Sequence, residues 1–414
     1  MNPFGHIVEQ HIEDASFLWV LRAAAVRQPH YSATDLLELE NRIGNHLDGI
    51  MVSLEKAWPL CLEATVFEES GEAFVLAVTA FRSLETEKIQ TAVEFGFRNE
   101  DTYKGLISAL AWLPGSLCHD WIKKFFSSKD LRHKLLALSA CSERSEDPAA
   151  YLSRLLSRQD CLEFLALHQR ALRAIGEFKR FDLAEHLEPA IASEDENLRF
   201  WGVWSSIMLG NYFHAHMLEE FVLKAGPFRE SAVELAFRVL PLETAKAWIS
   251  RIAENPEDMR WVIKATAYLG DPHAVTWLII TMRKAEVSRL AGEAFSLITG
   301  IDLEQRELVL DVPDITEFNL DKDLADEEIG EEGIYLDEDE HLPWPNPDKI
   351  AALWQKYRSS FRNGTRYFMG KPVSVDVLKY YLVEGCQRQR RAAAIELALM
   401  ETQQMLMNTE RRCG

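Results

Sequence analysis

The sequence predicts an all-α chain: an α-solenoid of helical hairpins with helical caps and an acidic insert. Three observations carry this expectation. First, an arginine recurs near the front of four helical segments, at Arg199, Arg229, Arg260 and Arg289, in steps of 30, 31 and 29 residues. Second, each segment then stops, at Leu209-Gly210, Leu240-Pro241, Leu269-Gly270 and Thr299-Gly300. Glycine suits the left-handed position that ends a helix, and proline cannot continue one. Third, a second helical segment follows three of the stops, as in Pro272-His273-Ala274-Val275-Thr276-Trp277-Leu278. A fixed period near 30 residues with two helices per unit is the signature of a helical solenoid.

The N-terminal residues, 1–65, read as a helical pair that caps the array. Phe4 to Gln28 forms one helix, with Ile7, His11, Asp14, Leu18, Leu21 and Ala25 about a turn apart and Pro29 closing it. Phe17-Leu18-Trp19-Val20-Leu21 is apolar all round and is expected to be buried. Ser32-Ala33-Thr34-Asp35 offers N-cap chemistry for a second helix. Its stripe is Leu36, Leu39, Ile43, Leu47 and Ile50.

The repeat array occupies 66–301. Stepping back from Gly300 by the period meets Gly270, Pro241, Gly210, Gly176, the polar cluster Ser142-Glu143-Arg144, and Pro114-Gly115. A further step reaches a helix from Glu72 to Leu84. Second helices are expected at His119–Ser127, Pro148–Ser157, Leu183–Ala192, Ala215–Lys224, Leu242–Ala253 and Pro272–Lys284. Pro148 and Pro272 fall in a first helical turn, where proline is tolerated. The array shows no sustained apolar alternation and no Asn-Gly hairpin, so it predicts no strands.

The formal charge of −20 is concentrated in one place. Between Asp302 and Glu340 there are 17 acidic residues against Arg306 and Lys322, a local balance of −15. The rest of the chain is near neutral, with 43 basic and 48 acidic residues. Residues 302–341 therefore read as an acidic loop or linker, solvated by its own repulsion. Its second reading is an arm that docks on a basic partner or folds across the array's own surface, with Ile334, Tyr335 and Leu336 as an anchor. No long basic run marks a phosphate-tracking face.

Residues 342–414 are expected to form a helical C-terminal cap. Leu342-Pro343-Trp344-Pro345-Asn346-Pro347 makes a stiff entry. A helix from Asp348 to Phe361 follows, then a turn-rich connector over 363–372, a helix from Ser374 to Glu384, and a last helix from Arg388 to Met405. Arg388, Arg390 and Arg391 open that last helix, either as a solvated face or as a contact for the acidic segment.

Several stretches carry a resemblance. Leu-Gly-Asp-Pro-His-Ala-Val at 269–275 resembles the turn that joins the helices of HEAT repeats. Others are Phe17-Leu18-Trp19, Ala25-Val26-Arg27-Gln28-Pro29-His30-Tyr31, His46-Leu47-Asp48-Gly49, and Ala291-Gly292-Glu293-Ala294-Phe295 with Ile298-Thr299-Gly300. The last are His341-Leu342-Pro343-Trp344-Pro345 and Arg388-Gln389-Arg390-Arg391-Ala392-Ala393-Ala394. Together they resemble, from end to end, a bacterial family of HEAT-repeat proteins often encoded beside type VI secretion components. The resemblance implies an accessory role in that secretion and no catalytic residue.

Enzyme signatures are missing. There is no dinucleotide fingerprint after a strand, no phosphate-binding Gly-Lys-Ser/Thr loop, no His-Glu-x-x-His and no Gly-x-Ser-x-Gly. HEAT-like metal hydroxylases hold iron with His-Glu dipeptides, and none of the 12 histidines is followed by glutamate. His214 and His216 sit two apart and face different sides of a helix, against a shared metal. Trp201, Trp204, Tyr212 and Trp248 could serve a helical DNA glycosylase, but without a basic face they read as packing residues.

What remains is binding along the second helices. Candidate liners are Glu185, His186 and Glu188, Glu219 and Glu220, Glu243 and Lys246, and His273 and Trp277, joined by Asp337, Glu338, Asp339 and Trp344 from the acidic insert and its exit. Such a set suits a basic or mixed-charge protein partner. The expectation is a non-enzymatic scaffold without metal or cofactor, an adaptor or chaperone-like accessory for a secreted effector. The alternatives are an immunity protein that sequesters a toxin, and a HEAT-type enzyme or prosthetic-group lyase. Six scattered cysteines (Cys61, Cys118, Cys141, Cys161, Cys386, Cys413), no apolar span of ~18 residues and no leader after Met1 place it in the reducing cytoplasm, free of membrane and nucleic acid.

Overall fold

The computed structural model describes residues 3–310 and 338–413. Asp337 and the expected anchor Ile334-Tyr335-Leu336 lie outside the described residues. The fold class is all-α, with solenoid-like stacked helical hairpins. The chain divides into two compact units, Met1–Gly210 with Leu382–Gly414, and Asn211–Tyr381.

The first unit opens with α1 (Pro3–Ala25), α2 (Ala33–Val52) and α3 (Leu54–Ala64). The expected pair is thus a trio, because Ser53 breaks the chain only briefly before Leu54 restarts it. A capping box at Ser32 and Asp35 starts α2, and its predicted stripe, Leu36 to Ile50, is buried throughout. The α1 expectation is corrected. Leu18 and Trp19 are buried, but Phe17 is 63% exposed and Val20 and Leu21 also face water. The helix buries one stripe, not its whole girth.

Next come α4 (Ser70–Ser83), α5 (Thr86–Gly96), α6 (Glu100–Trp112), α7 (Gly115–Ser127), α8 (Leu131–Glu143), α9 (Ala150–Leu156), α10 (Gln159–Glu163), α11 (Leu165–Glu177), α12 (Leu187–Ile191) and α13 (Glu196–Met208). The first helices stack in chain order, α4 on α6, α6 on α8, α8 on α11 and α11 on α13. Partners such as α5, α7 and α12 pack beside them. Burial follows position: α4 is buried from Ala73 to Phe81, whereas α7 buries only a stripe of Cys118, Ile122, Phe125 and Phe126.

The second unit holds α14 (Glu219–Leu223), α15 (Arg229–Val239), α16 (Leu242–Ile252), α17 (Met259–Leu269), α18 (Val275–Thr281), α19 (Ala285–Thr299) and α20 (Pro347–Tyr357). Here α15 packs on α17 and α17 on α19. Gly270 and Gly300 end α17 and α19 in the left-handed conformation read from the sequence, at φ +69° and +68°. The core joins Ile263, Val275, Leu278, Phe295 and Ile298 to Ile350 and Trp354 of α20.

The turn-rich connector is a small antiparallel ribbon, β1 (Tyr367–Phe368) with β2 (Lys371–Pro372), paired Tyr367 to Pro372 and Phe368 to Lys371. Met369 and Gly370 both take positive φ, the geometry of a tight hairpin turn. This ribbon crosses the C-terminal ends of the stacked helices. The Arg366 guanidinium donates to the carbonyls of Arg238, Tyr268 and Leu269. The Tyr367 amide donates to Gly270 O at 2.8 Å, and the Gly370 amide to Ile298 O at 3.1 Å. The last carbonyls of a helix have no partner within it, so the ribbon supplies donors they need.

After α21 (Val375–Glu384) comes α22 (Gln387–Met400). The expected C-terminal cap of 342–414 is divided: residues up to Tyr381 group with the second unit, and those from Leu382 return to the first. The Gln387 amide donates to Tyr31 O, and its side chain reaches Val26 O and Thr409 O. The final helix also stops short of the predicted Met405. From Glu401 the backbone is spent on contacts with other helices, as a strap over the ends of α11, α8 and α6. The Leu406 amide donates to Glu177 O, the Asn408 side chain to Glu143 O, and the Arg412 guanidinium to Trp112 O. It finishes at Glu40, a carboxylate 1% exposed that accepts from Arg22 and from the Cys413 amide.

Buried cations serve the same edge. Arg144 donates to Leu110 O and Leu113 O at 2.9 and 2.7 Å, and Lys179 donates to Met208 O and Ala398 O. A positive charge is favoured at the negative end of a helix. Burial pulls Lys179 down from its ordinary value of 10.5 to about 8. Between these two values the unfolded chain holds a proton that the folded chain has shed, so stability rises with pH across the window. The stability of the wild type should therefore gain on that of Lys179→Met as pH rises through it, by up to about 3 kcal/mol, read as a shift in melting temperature. A difference flat in pH contradicts the buried ammonium.

Candidate interaction surface

The second unit places the flanks of the acidic insert on its own basic row. Arg260 and Lys264 are one turn apart on α17 and so share a face. The Arg260 guanidinium donates to both oxygens of Asp339, at 2.5 and 3.1 Å, and lies 3.5 Å from Glu338. Lys264 stands 3.5 Å from Glu338 and 3.6 Å from Glu230, with its ammonium over the Trp261 ring. Asp339 is only 3% exposed. A buried carboxylate with two donors from one guanidinium is a specific anchor, unlike a surface ion pair.

The same row continues through Arg289, whose guanidinium lies 4.9 Å from the Trp344 ring centre. A cation over an indole face is attracted by the ring quadrupole. Beside it the two strands of backbone meet. Val309 bridges Pro345, the Leu310 amide donates to Trp344 O at 2.9 Å, and the Asn346 amide donates to Leu308 O at 2.7 Å. Both flanks of 311–337 are therefore tied to one stem. That segment of sequence carries 11 acidic residues and one lysine, a charge of −10.

Arg229 completes the row by a different route. It is 5% exposed, donates to Val222 O, and pairs with Asp258. The hydrogen bond from Arg229 holds the Asp258 carboxyl below its ordinary range, against the opposing push of burial. Arg199, in the first unit, donates instead to Ser193 O and Glu194 O.

The other predicted liners are distributed. Glu185 and Glu188 are exposed on the first unit. Glu219 and Glu220 open α14, where Glu219 pairs with Arg251 of α16. Lys246 pairs with Asp271 at 3.3 Å and Glu243 at 3.7 Å. Glu219–Arg251 and Lys246–Asp271 link consecutive hairpins, whereas Lys246–Glu243 lies within α16; the water-exposed pairs Glu219–Arg251 and Lys246–Glu243 each add little. Trp277 is half-buried against the core of the second unit. Of the aromatic residues weighed for nucleic acid, Trp204 and Trp248 are buried, whereas Tyr212 is 41% exposed.

The structure thus brings Glu338, Asp339 and Trp344 to one surface and leaves Glu185, Glu188, Glu219, Glu220 and Trp277 elsewhere in their units. Sequence reading missed Lys264 as a member of this surface, although its spacing of four from Arg260 was the available signal. It used Arg260 and Arg289 as period markers and not as the partners of the acidic flank.

Other chemistry is sparse in the described residues. No group of three or more His, Cys, Asp or Glu side chains is placed to hold a metal, and no helix is long and apolar enough to cross a membrane. Burial pushes the Cys61 and Cys141 thiols up to about 12, which keeps them protonated and unreactive at neutral pH. No protein-family model, no curated protein and no solved structure matches this chain.

Proposed function

We propose that the chain is a non-enzymatic protein-binding scaffold of the cytoplasm, an adaptor or chaperone-like accessory for type VI secretion effectors. The observation that carries the reading is the anchored acidic insert: a buried Asp339 on Arg260 and a Trp344 on Arg289 beside a run of net charge −10. A flank spent on internal ion pairs fixes where the run begins and ends, and the remaining carboxylates attract a basic partner. Attraction of this kind speeds encounter and weakens with salt. The sequence resemblance to HEAT-repeat proteins encoded beside type VI secretion components supports the secretion context.

Affinity capture from the native host, with the full chain and with residues 312–337 deleted, tests the reading. The deletion removes neither partner of the Leu310–Trp344 hydrogen bond nor Glu338, Asp339 and Arg260 of the anchor. The full chain should retain an effector and a spike component at low salt and less of both at moderate salt, and the deletion should lose them. Capture of every partner at unchanged yield by the deletion refutes the role of the insert. The acidic run also suits a basic toxin, which gives the immunity reading its support. That reading requires a single tightly bound toxin and death of deletion strains in contact with sister cells, whereas an adaptor deletion stops delivery without harm.

A further inference from the structure

The first unit contains a cavity of about 200 Å³ whose walls are basic and aromatic. Lys134 of α8, Arg154 of α9 and Arg158, just beyond α9, line it with Phe126 and Tyr151. Three cations face one space, and the acidic count around them is small. Arg158 is paired with Asp160, at 3.0 and 2.6 Å. Among the described residues no carboxylate stands at ion-pair distance from Lys134 or Arg154. Lys134 is 5% exposed, and its ammonium donates to a neutral group, Phe126 O, at 2.5 Å. The lining therefore carries a balance of +2.

Aromatic packing holds these groups in position. The Phe126 and Tyr151 rings stack with centres 4.6 Å apart and planes 11° apart, and the Arg154 guanidinium lies 5.0 Å from the Tyr151 ring centre. A buried ammonium facing only a carbonyl is costly unless an anion joins it. Burial accordingly pulls the Lys134 ammonium below its usual value. The Arg158–Asp160 pair is bidentate but exposed to water, so water and a ligand compete with Asp160 for the fork.

We propose that this cavity is an anion-binding site for a phosphate-type dianion, seated between the Lys134 ammonium and the Arg154 and Arg158 guanidinium forks. The balance of +2 matches a phosphoryl group near neutral pH, which carries about −1.5 to −2, better than the single charge of a carboxylate. Planar forks suit phosphate oxygens, and a lysine at the floor adds a point charge. The Phe126–Tyr151 wall offers an apolar surface to whatever bears the phosphoryl group.

Calorimetric titration of the full chain at constant, low ionic strength tests the site with three probes: inorganic phosphate, phenyl phosphate and acetate. Phosphate should bind at least tenfold more tightly than acetate. Arg154→Gln, on an exposed side chain that leaves the fold intact by circular dichroism, should weaken it about tenfold. Phenyl phosphate binding more tightly than phosphate identifies an organic phosphate ester as the ligand class, and equal binding identifies free phosphate. Acetate binding as tightly as phosphate, absence of phosphate binding, or affinity unchanged in Arg154→Gln overturns the proposal.

Discussion

Ending the chain at Met400 lowers the melting temperature of the first unit by about 10 °C. The removed residues supply the Leu406 amide to Glu177 O at 2.9 Å, Arg412 to Trp112 O at 3.1 Å, and the Cys413 amide to Glu40 Oε2 at 2.8 Å. They also take the Arg22 guanidinium at Glu410 O. Each such hydrogen bond contributes about 1 kcal/mol net. Glu40 adds more, because a buried carboxylate that loses a donor keeps its desolvation penalty. The net loss is about 3–4 kcal/mol, at roughly 3 °C per kcal/mol for a unit of this size. Thermal melts of the full chain and of 1–400, followed by circular dichroism, read the effect. A melting point unchanged by truncation shows that the strap lies on the helices without stabilising them.

The second large effect is expected at Gly105. It sits where α6 crosses α4, and a methyl group there would fall 2.2 Å from Ser70 O and 2.8 Å from Ala73 Cβ. The nearest obstacle is helix backbone, which cannot rotate away, so the two helices must separate along a tightly packed seam. Gly105→Ala should cost about 3 kcal/mol despite the better helix propensity of alanine. Gly44 makes the matched control. It lies within α2, and a methyl group there meets nothing within 4 Å. Gly44→Ala should raise stability by up to ~1 kcal/mol. Urea denaturation of both variants separates the cases. Equal changes in midpoint would mean that the α4–α6 crossing is looser than described.

Much of the fold was legible because its signals are local. Gly270 and Gly300 end their helices as read, since left-handed caps are written in single residues. The α2 stripe and its capping box were equally plain. The second helices at 119–127, 242–253 and 272–284 correspond to α7, α16 and a short turn leading into α18, with boundaries shifted by a few residues. What escaped depends on partners far along the chain. Phe17 looked buried because an apolar run gives no direction, and only packing decides which residues of α1 face water. The return of Leu382–Gly414 to the first unit rests on contacts such as Cys413 with Glu40, which no periodicity encodes. The ribbon at Tyr367–Pro372 is too short to show alternation.

The candidate surface divides in the same way. Local charge counting found the acidic run and placed Glu338, Asp339 and Trp344 within it or at its exit. That Asp339 would be buried on Arg260, 79 residues earlier, follows from the stacking of α17 and could not be read from composition. The cationic cavity was missed because Lys134 stands on α8, apart from Arg154 and Arg158 on and just beyond α9, with no basic run to announce them.

The most direct measurement of the scaffold account is the affinity of a purified, captured partner for the full chain and for the chain lacking 312–337, titrated at low and moderate salt. The account predicts binding that weakens with salt in the full chain, at least tenfold weaker binding in the deletion, and little salt dependence in what remains. Equal affinity and equal salt dependence in the two chains would contradict it.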